Sequence, residues 1–589
     1  MAIHSKVATK KKKANTAIEV LDNQTKFVAE EYERYKKHWR DEFKAAEAVY
    51  DLWCNKPPTR EQSWQNQVNV PVVCEAEQTI SPRLFTALFP NEAPLDVHVE
   101  GQTPAEQGIL IKGALQHYFR ISDVQGESIP ALGQTTLFGT GYIYSGWMTK
   151  RGWQTDADGK RYSAIIENRP DCEAVDFFEM FPHPAKLHIG DGLPVIRKRL
   201  VDSEYLKALK DNPFFETKDI EAALQSTLPA EETKDDMKPG EAYELLEYWG
   251  PWNEQFADEE GRTMENKGVP YWIMVINRTC KIRGVPNPFN HQQEPFCKLK
   301  LFESPKPNWF GVGIGKMGKS SADRLNKIVN QRLDNVDLVL NKQGAYNGND
   351  PLISIRKLQV SKPGQWHKVS DTVQSLRWID TPDVTASSYK EEELAKQDFR
   401  EATGATAHLM PEQGSEHRTA MGIQLLQGAA GMRFRPVLRR LETDFIQALA
   451  MIYFSNLKQF MTVEEWVTIV GDDGIQTPML ISPEDINAKV YFVPTGISET
   501  MNKETQVGQL LRYKEVTAND PTVNRQEINK RIAELFGFKD VNKLTISQPM
   551  VQPGQVSPQE QAEIRRRLAE GATPTQVKQE IMGPRPQGQ

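Results

Sequence analysis

At 589 residues the chain is too long for a single hydrophobic core and divides into several domains or into one elongated subunit of several modules. A formal net charge of -7 with 39 % hydrophobic content is that of an ordinary folded chain, and it argues against a protein held on nucleic acid by a broadly basic surface. Five scattered cysteines without CxxC spacing argue against a disulfide framework or a zinc site and point to a reducing compartment.

Residues 1–15, with the run Lys10 to Lys13, read as a disordered basic arm. Polar residues follow this arm where a signal peptide needs an apolar run, so the chain is expected to stay in the cytosol that makes it. The longest apolar run, Ala448 to Phe454, falls far short of a membrane span. From Thr16 to Trp53 the spacing of Phe27, Tyr32, Tyr35, Trp39, Phe43 and Val49 predicts an amphipathic helix, ended by Pro57 and Pro58. Ser63 to Pro90 reads as a loop feeding a second helix, in which Leu84, Phe85, Leu88 and Phe89 share one face. Helical character returns from Thr103 to Thr136.

Strands take over near residue 137. Alternation around Asp158-Gly159 predicts a hairpin, and Asp156 with Asp158 suits that turn better than a calcium loop, whose downstream glutamate is missing. Leu193 to Leu224 reads as a strand and helix pair, and Pro229 to Gly240 as an acidic loop. The stretches Glu244–Glu254, Pro270–Gly284 and Phe296–Phe302 are expected to be strands of one antiparallel sheet.

The segment Gly313 to Ser320, GIGKMGKS, formally matches the phosphate-binding pattern G-x-x-x-x-G-K-[ST] and opens a helix. It would make the chain a P-loop ATPase with Lys319 on the phosphates. A phosphate cradle needs a buried strand just before its first glycine, and SPKPNWF, with its prolines, occupies that place. Ser320 to Lys342 instead predicts an amphipathic helix that buries Leu325, Ile328, Val329, Leu333, Val336 and Leu340. Asn347 to Asp383 reads as short β segments around Pro363-Gly364, tinted basic by Arg356, Lys357, Lys362, His367 and Lys368. A charged helix follows to Thr403, with Glu392 and Lys396 at i,i+4 spacing and only Tyr389, Leu394 and Phe399 as sizeable apolar residues. Such a helix has too little apolar surface to anchor itself.

Gly404 to His417 has the composition of an exposed loop. Arg418 to Met461 is expected to be a long helix kinked at Pro436. Glu464 to Pro494 returns to strands, expected to rejoin the earlier sheet, and Ser498 to Phe536 is helical again. From Gln548 the tail is rich in Gln, Pro and Gly and carries no core-sized apolar surface. No HExxH, GxSxG or metal-spaced cluster occurs, so no catalytic residue, metal or cofactor is expected.

The order helix, small β module, charged helix, Gly-rich loop, long helix, with the Pro-Arg-Leu helix ending in Leu-Phe-Pro at Ser63–Pro90, resembles the portal protein of tailed bacteriophages, podovirus-like in type. The resemblance implies an α+β portal fold. Its parts would be a wing over 16–310, β-rich from about 137, a stem helix at 311–345, a small α/β clip at 346–386 and a second stem helix at 387–404. A tunnel loop would follow at 405–417, then a wing helix with returning strands at 418–497, a helical crown at 498–547 and a flexible tail at 548–589. It further implies a homo-oligomeric ring of about twelve copies around double-stranded DNA. Its partners would be the large terminase, head-tail adaptor and tail proteins, and the major capsid and scaffolding proteins, within the virion. Thr406, His408, Met410, Glu412, Gln413, Ser415 and His417 would face DNA, and the basic clip residues named above would meet partners or DNA. Arg433, Arg435, Arg439 and Arg440 would form ion pairs between subunits, near Glu412, Glu442 and Asp444. The rival readings are the P-loop packaging motor and a non-viral helical scaffold.

Overall fold

The computed structural model describes residues 3–405, apart from 61, 91–93, 100–104, 157, 211–214, 216, 227, 229–241, 258–262, 354–355, 357–365, 367, 373–374, 380 and 384. It also describes 433–494 apart from 462–464, 471–475, 485 and 487, together with 510–517, 525–535 and 566; up to residue 22 it describes the backbone alone. The chain falls into two compact units, Met1–Thr500 and Met501–Gln589.

Helix α1 (Ile3–Trp53) starts earlier than the expected Thr16 and takes in the basic arm expected to be disordered. No glycine or proline interrupts those residues, and Lys and Ala favour the helix. Its buried stripe, Val28, Tyr32, Tyr35, Trp39, Ala46 and Val49, has the three-and-four spacing of one helical face. Trp39 donates its indole N–H to the Pro182 carbonyl at 2.9 Å. Helix α2 (Val72–Leu88) buries Ile80, Leu84 and Leu88, with Phe89 closing its end. The helix expected at Thr103–Thr136 is two, α3 (Ala105–Ile121) and α4 (Val124–Phe138). Asp123 breaks it in the left-handed conformation at φ 50°, while its carboxylate accepts the Gly126 N–H as an N-cap.

Three strands of the first unit build a small sheet in the order β11 (Phe296–Lys300), β2 (Thr140–Tyr144), β5 (Glu173–Val175). A five-stranded antiparallel sheet runs β10 (Cys280–Pro286), β9 (Thr263–Ile276), β8 (Tyr243–Ala257), β7 (Val195–Val201), β6 (Met180–Pro182). The expectation of one sheet through Phe296–Phe302 is therefore corrected: β11 pairs β2, with Lys298 opposite Tyr142. Strand β3 (Trp147–Thr155) and strand β4 (Arg161–Pro170) form the predicted hairpin, and Asp156 serves its turn by accepting the Asp158 N–H.

The returning strands also differ from expectation, since none joins the five-stranded sheet. β14 (Glu465–Val470) pairs β15 (Gln476–Ile481), and β16 (Val490–Pro494) pairs β1 (Leu95–Val99), a strand that lies some 390 residues earlier. In the second unit, residues 510–516 and Arg525–Leu535 are helical. Among the described residues no helix is long and apolar enough to cross a membrane, and no group of three His, Cys, Asp or Glu side chains could hold a metal ion.

Candidate functional site

Helix α7 (Ile314–Leu340) and helix α8 (Ala386–Thr403) form an antiparallel hairpin. The pairings run in opposite directions along the two chains. Gly318 lies against Phe399, Arg324 pairs with Asp398 at 3.1 Å and Glu391 at 2.6 Å, and Arg332 pairs with Glu392 at 2.6 Å. A Cβ at position 318 would stand 2.3 Å from the Phe399 ring, so only glycine permits this closeness. Arg332 also covers the Tyr389 ring, 4.3 Å from its centroid. Lys396, followed by Arg332, holds the Glu392 carboxyl below its ordinary range.

The formal phosphate-binding match lies at the start of the same helix. Gly313 is its N-cap, and Ile314 to Ser320 form its first turns rather than a loop. Gly315 packs against Val49, and Lys319 pairs along the helix with Asp323 at 2.7 Å. From Met317, whose N–H reaches the Gly313 carbonyl at 3.1 Å, the amides of the pattern are hydrogen-bonded along the helix, so its second half is helix rather than a phosphate-wrapping loop.

One face of α7 carries Asn326, Asn330, Asp334 and Asp337, and the extended segment Asn66–Val70 runs beside it. Asn326 Oδ1 accepts the Val70 N–H at 2.8 Å, Asn330 Oδ1 the Val68 N–H at 2.7 Å, and Asp334 Oδ1 the Asn66 N–H at 2.7 Å. Asn66 Nδ2 donates to Asp337 at 2.7 Å, and Asn330 Nδ2 returns a bond to the Val68 carbonyl at 2.7 Å. Side chains one helical turn apart thus stand in for a neighbouring strand and satisfy alternate backbone groups of the segment.

Burial of the hairpin falls sharply along α7. Leu325 is 0 % and Val329 7 % exposed, but Val336 is 37 % and Leu340 74 % exposed, so the predicted buried face is covered only in its N-terminal half. The same end carries a two-stranded ribbon, β12 (Gly344–Tyr346) with β13 (Leu376–Trp378), whose Tyr346 and Trp378 are also exposed. Asp350 pins the connecting loop by accepting the Ser370 hydroxyl at 2.6 Å and the Ser370 N–H at 2.9 Å. Ser370 foremost holds the Asp350 carboxyl well below the usual carboxylate range. Of the basic residues expected here, Arg356 and Lys368 are exposed, while Lys357, Lys362 and His367 lie outside the described residues.

At the opposite end, α8 stops at Gly404, in the left-handed region at φ 79°, with its N–H on the Arg400 carbonyl. Arg433 donates to the carbonyls of Glu401 and Ala402 at 3.3 and 3.0 Å, neutralising the negative end of the helix. The chain therefore leaves at Ala405 and returns at Arg433 beside the same helix end. The expected DNA-facing residues, Thr406, His408, Met410, Glu412, Gln413, Ser415 and His417, lie between these points and outside the described residues. Arg440 pairs with Glu303 at 3.3 Å and donates to the Lys300 and Leu301 carbonyls within the chain, whereas Arg435 and Arg439 are exposed. Pro436 does not kink a longer described helix. It sits in the first turn of Arg435–Leu441, where its missing N–H costs nothing, and the irregularity comes later as a π-helical turn at Glu442–Gln447 before Ala448–Phe460.

A family model described as phage SU10 portal protein matches residues 156–571. Among solved structures, one titled "Neck of empty GTA particle computed with C6 symmetry" is 11 % identical, covers 79 % of this chain and 90 % of that chain, and has a TM-score of 0.33, a correspondence too loose to argue from. No curated protein matches the chain.

Proposed function

The chain belongs to the phage SU10 portal protein family, and from that premise we propose that it forms the ring at one capsid vertex through which double-stranded DNA is packaged and ejected. The ring is the docking site for the large terminase on one side of the DNA's passage and for adaptor and tail proteins on the other. The observation that carries this reading is the half-covered hairpin. Leu340, Tyr346, Trp378 and Tyr389 are large, exposed and gathered on one pair of charged helices and the ribbon between them. In a cyclic assembly each copy presents one face of this hairpin to the next, so burial absent from one subunit is supplied by its neighbours. Mechanically the ring performs no covalent chemistry: it anchors a motor, guides the duplex, and sets the segment after Ala405 toward the bore. Arg435 and Arg439, both exposed, serve as intersubunit contacts; Arg433, exposed as well, donates to the end of helix α8, and Arg440 pairs inside the chain.

Electron microscopy of the purified protein tests the reading. Annular particles with an axial hole wide enough for duplex DNA are expected. A population of compact single subunits at all concentrations, with no annulus, would overturn it.

A further inference from the structure

A cavity of about 710 Å³ opens between β11, the helix Ala448–Phe460 and β16. Its walls are apolar, made by Phe296, Ile452, Phe454, Val490 and Phe492, with Met451 exposed at its mouth. The π-helical turn places Thr443 and Asp444 on its rim, and such turns often mark functional positions.

The charges around this space are lopsided. Lys298, Lys458, Lys489, His188 and His291 line it, and Asp444 is the one carboxylate among the described lining residues. Lys298 is nearly buried, with its ammonium 3.8 Å from the Trp309 ring centroid and donating to the Leu187 carbonyl. Lys458 donates to the Ala488 carbonyl at 2.7 Å and lies over the Phe454 ring. His291 Nδ1 accepts the Gln293 N–H at 3.1 Å, so a neutral ring carries its proton on Nε2, and that atom is buried without a hydrogen-bond partner among the described residues. Burial pushes the Lys298 ammonium down to about 7 and the His291 imidazole down to about 4, and lowers Lys458 as well. Lys458, Lys489 and Lys298 with the His291 N–H outnumber the single carboxylate, Asp444, so the space is suited to a further negative group.

We propose that this cavity receives an acidic peptide segment with one aromatic or aliphatic anchor residue, contributed by a partner protein. The anchor fills the space between Phe296, Phe454 and Phe492. Its neighbouring carboxylate lies against Lys298 and Lys458 and accepts the His291 Nε2–H. A cavity of this volume falls in the range of ligand pockets, roughly 300–1,000 Å³, and accommodates an anchor side chain with part of its flanking backbone. Opposite charge both steers the segment in and selects against basic competitors.

The test uses the full chain and fluorescein-labelled peptides, Asp-Phe-Asp-Glu against Lys-Phe-Lys-Lys, read by anisotropy at low and high salt. The acidic peptide should bind and weaken with salt, and the basic one should not bind. Lys458→Glu should weaken binding by about tenfold or more, and Asp444→Asn should tighten it, since it removes the competing carboxylate. Both side chains lie on the exposed side of the cavity, so neither change removes core packing. Absence of acidic-peptide binding, equal binding of the basic peptide, or indifference to both substitutions would overturn the proposal. So would decanoate binding as tightly as the peptide, because a free amphipathic acid would then be the better occupant. Peptide binding is read on rings and single subunits alike, so a failure of ring assembly leaves this test standing.

Discussion

Replacing Asn330 with alanine should release the segment Asn66–Val70 from helix α7. Asn330 is 0 % exposed; its Oδ1 accepts the Val68 N–H, and its Nδ2 donates to the carbonyls of Val68 and Asn326, each at 2.7 Å. The Asn326 carbonyl lies in the helix and keeps an intrahelical donor within reach, so its loss is minor. Val68 loses partners for both its N–H and its C=O. A buried polar group left without a partner costs about 1–3 kcal/mol, and because Val68 lies partly at the surface the lower part of that range applies, about 2–3 kcal/mol for the pair. At 1.4 kcal/mol per factor of ten, opening of this segment becomes about 30- to 150-fold more frequent. Hydrogen exchange followed by mass spectrometry on the peptide spanning Ser63–Val70 reads that change directly. Asn335→Ala, whose amide donates to the Pro382 carbonyl at 3.3 Å, is the control and should leave this peptide unchanged. If the Val68 amide of the parent exchanges at the free-peptide rate, or if Asn330→Ala leaves it equally slow, the side-chain ladder is not what holds the segment.

Gly318→Ala should lower the denaturation midpoint, because forcing the helices apart at Phe399 costs about 1–3 kcal/mol, more than the ~1 kcal/mol that alanine gains over glycine in a helix; a raised midpoint in urea would refute the close contact. Lys319→Ala removes an exposed pair within one helix and should change stability by less than about 0.5 kcal/mol, with no ATP binding detected calorimetrically in either chain; micromolar binding lost in the variant would revive the nucleotide reading. Lys298 gives up its proton near pH 7 in the folded chain, while the unfolded chain keeps it into the ordinary lysine range. Between those limits the unfolded state binds more protons, so thermal stability should gain from this group as pH rises above about 7, and Lys298→Met should flatten that gain. Leu340→Asp should leave the unfolding of the single subunit unchanged, since the side chain is 74 % exposed, yet abolish annular particles in sedimentation and micrographs.

Much of the helical hairpin is legible in the chain. The three-and-four spacing of Leu325 and Val329, the absence of proline from 314 to 340, and the charged pairs of Ala386–Thr403 mark both helices, and Gly404 marks where the second stops. The glycines of GIGKMGKS misdirect, because close helix packing and phosphate binding ask for the same small residue; only the partners Val49 and Phe399 tell the two uses apart. The polar stripe Asn326, Asn330, Asp334, Asp337 is visible at helical spacing, but its partner lies some 260 residues earlier. A pattern of donors and acceptors states a need without naming who meets it.

Local chemistry alone therefore determined which stretches are helices, which are strands and where hairpins turn, because those depend on neighbours a few residues away through 3.6- and 2-residue periods. Tertiary structure decided which strands share a sheet, as when Phe296–Lys300 joins Thr140–Tyr144 and Val490–Pro494 reaches back to Leu95–Val99. It also decided that a cationic cavity gathers from β11, the π-helical turn and β16. Alternation along a strand fixes which side is apolar but carries no information about its partner, which is chosen by whatever surface elsewhere in the chain completes the burial.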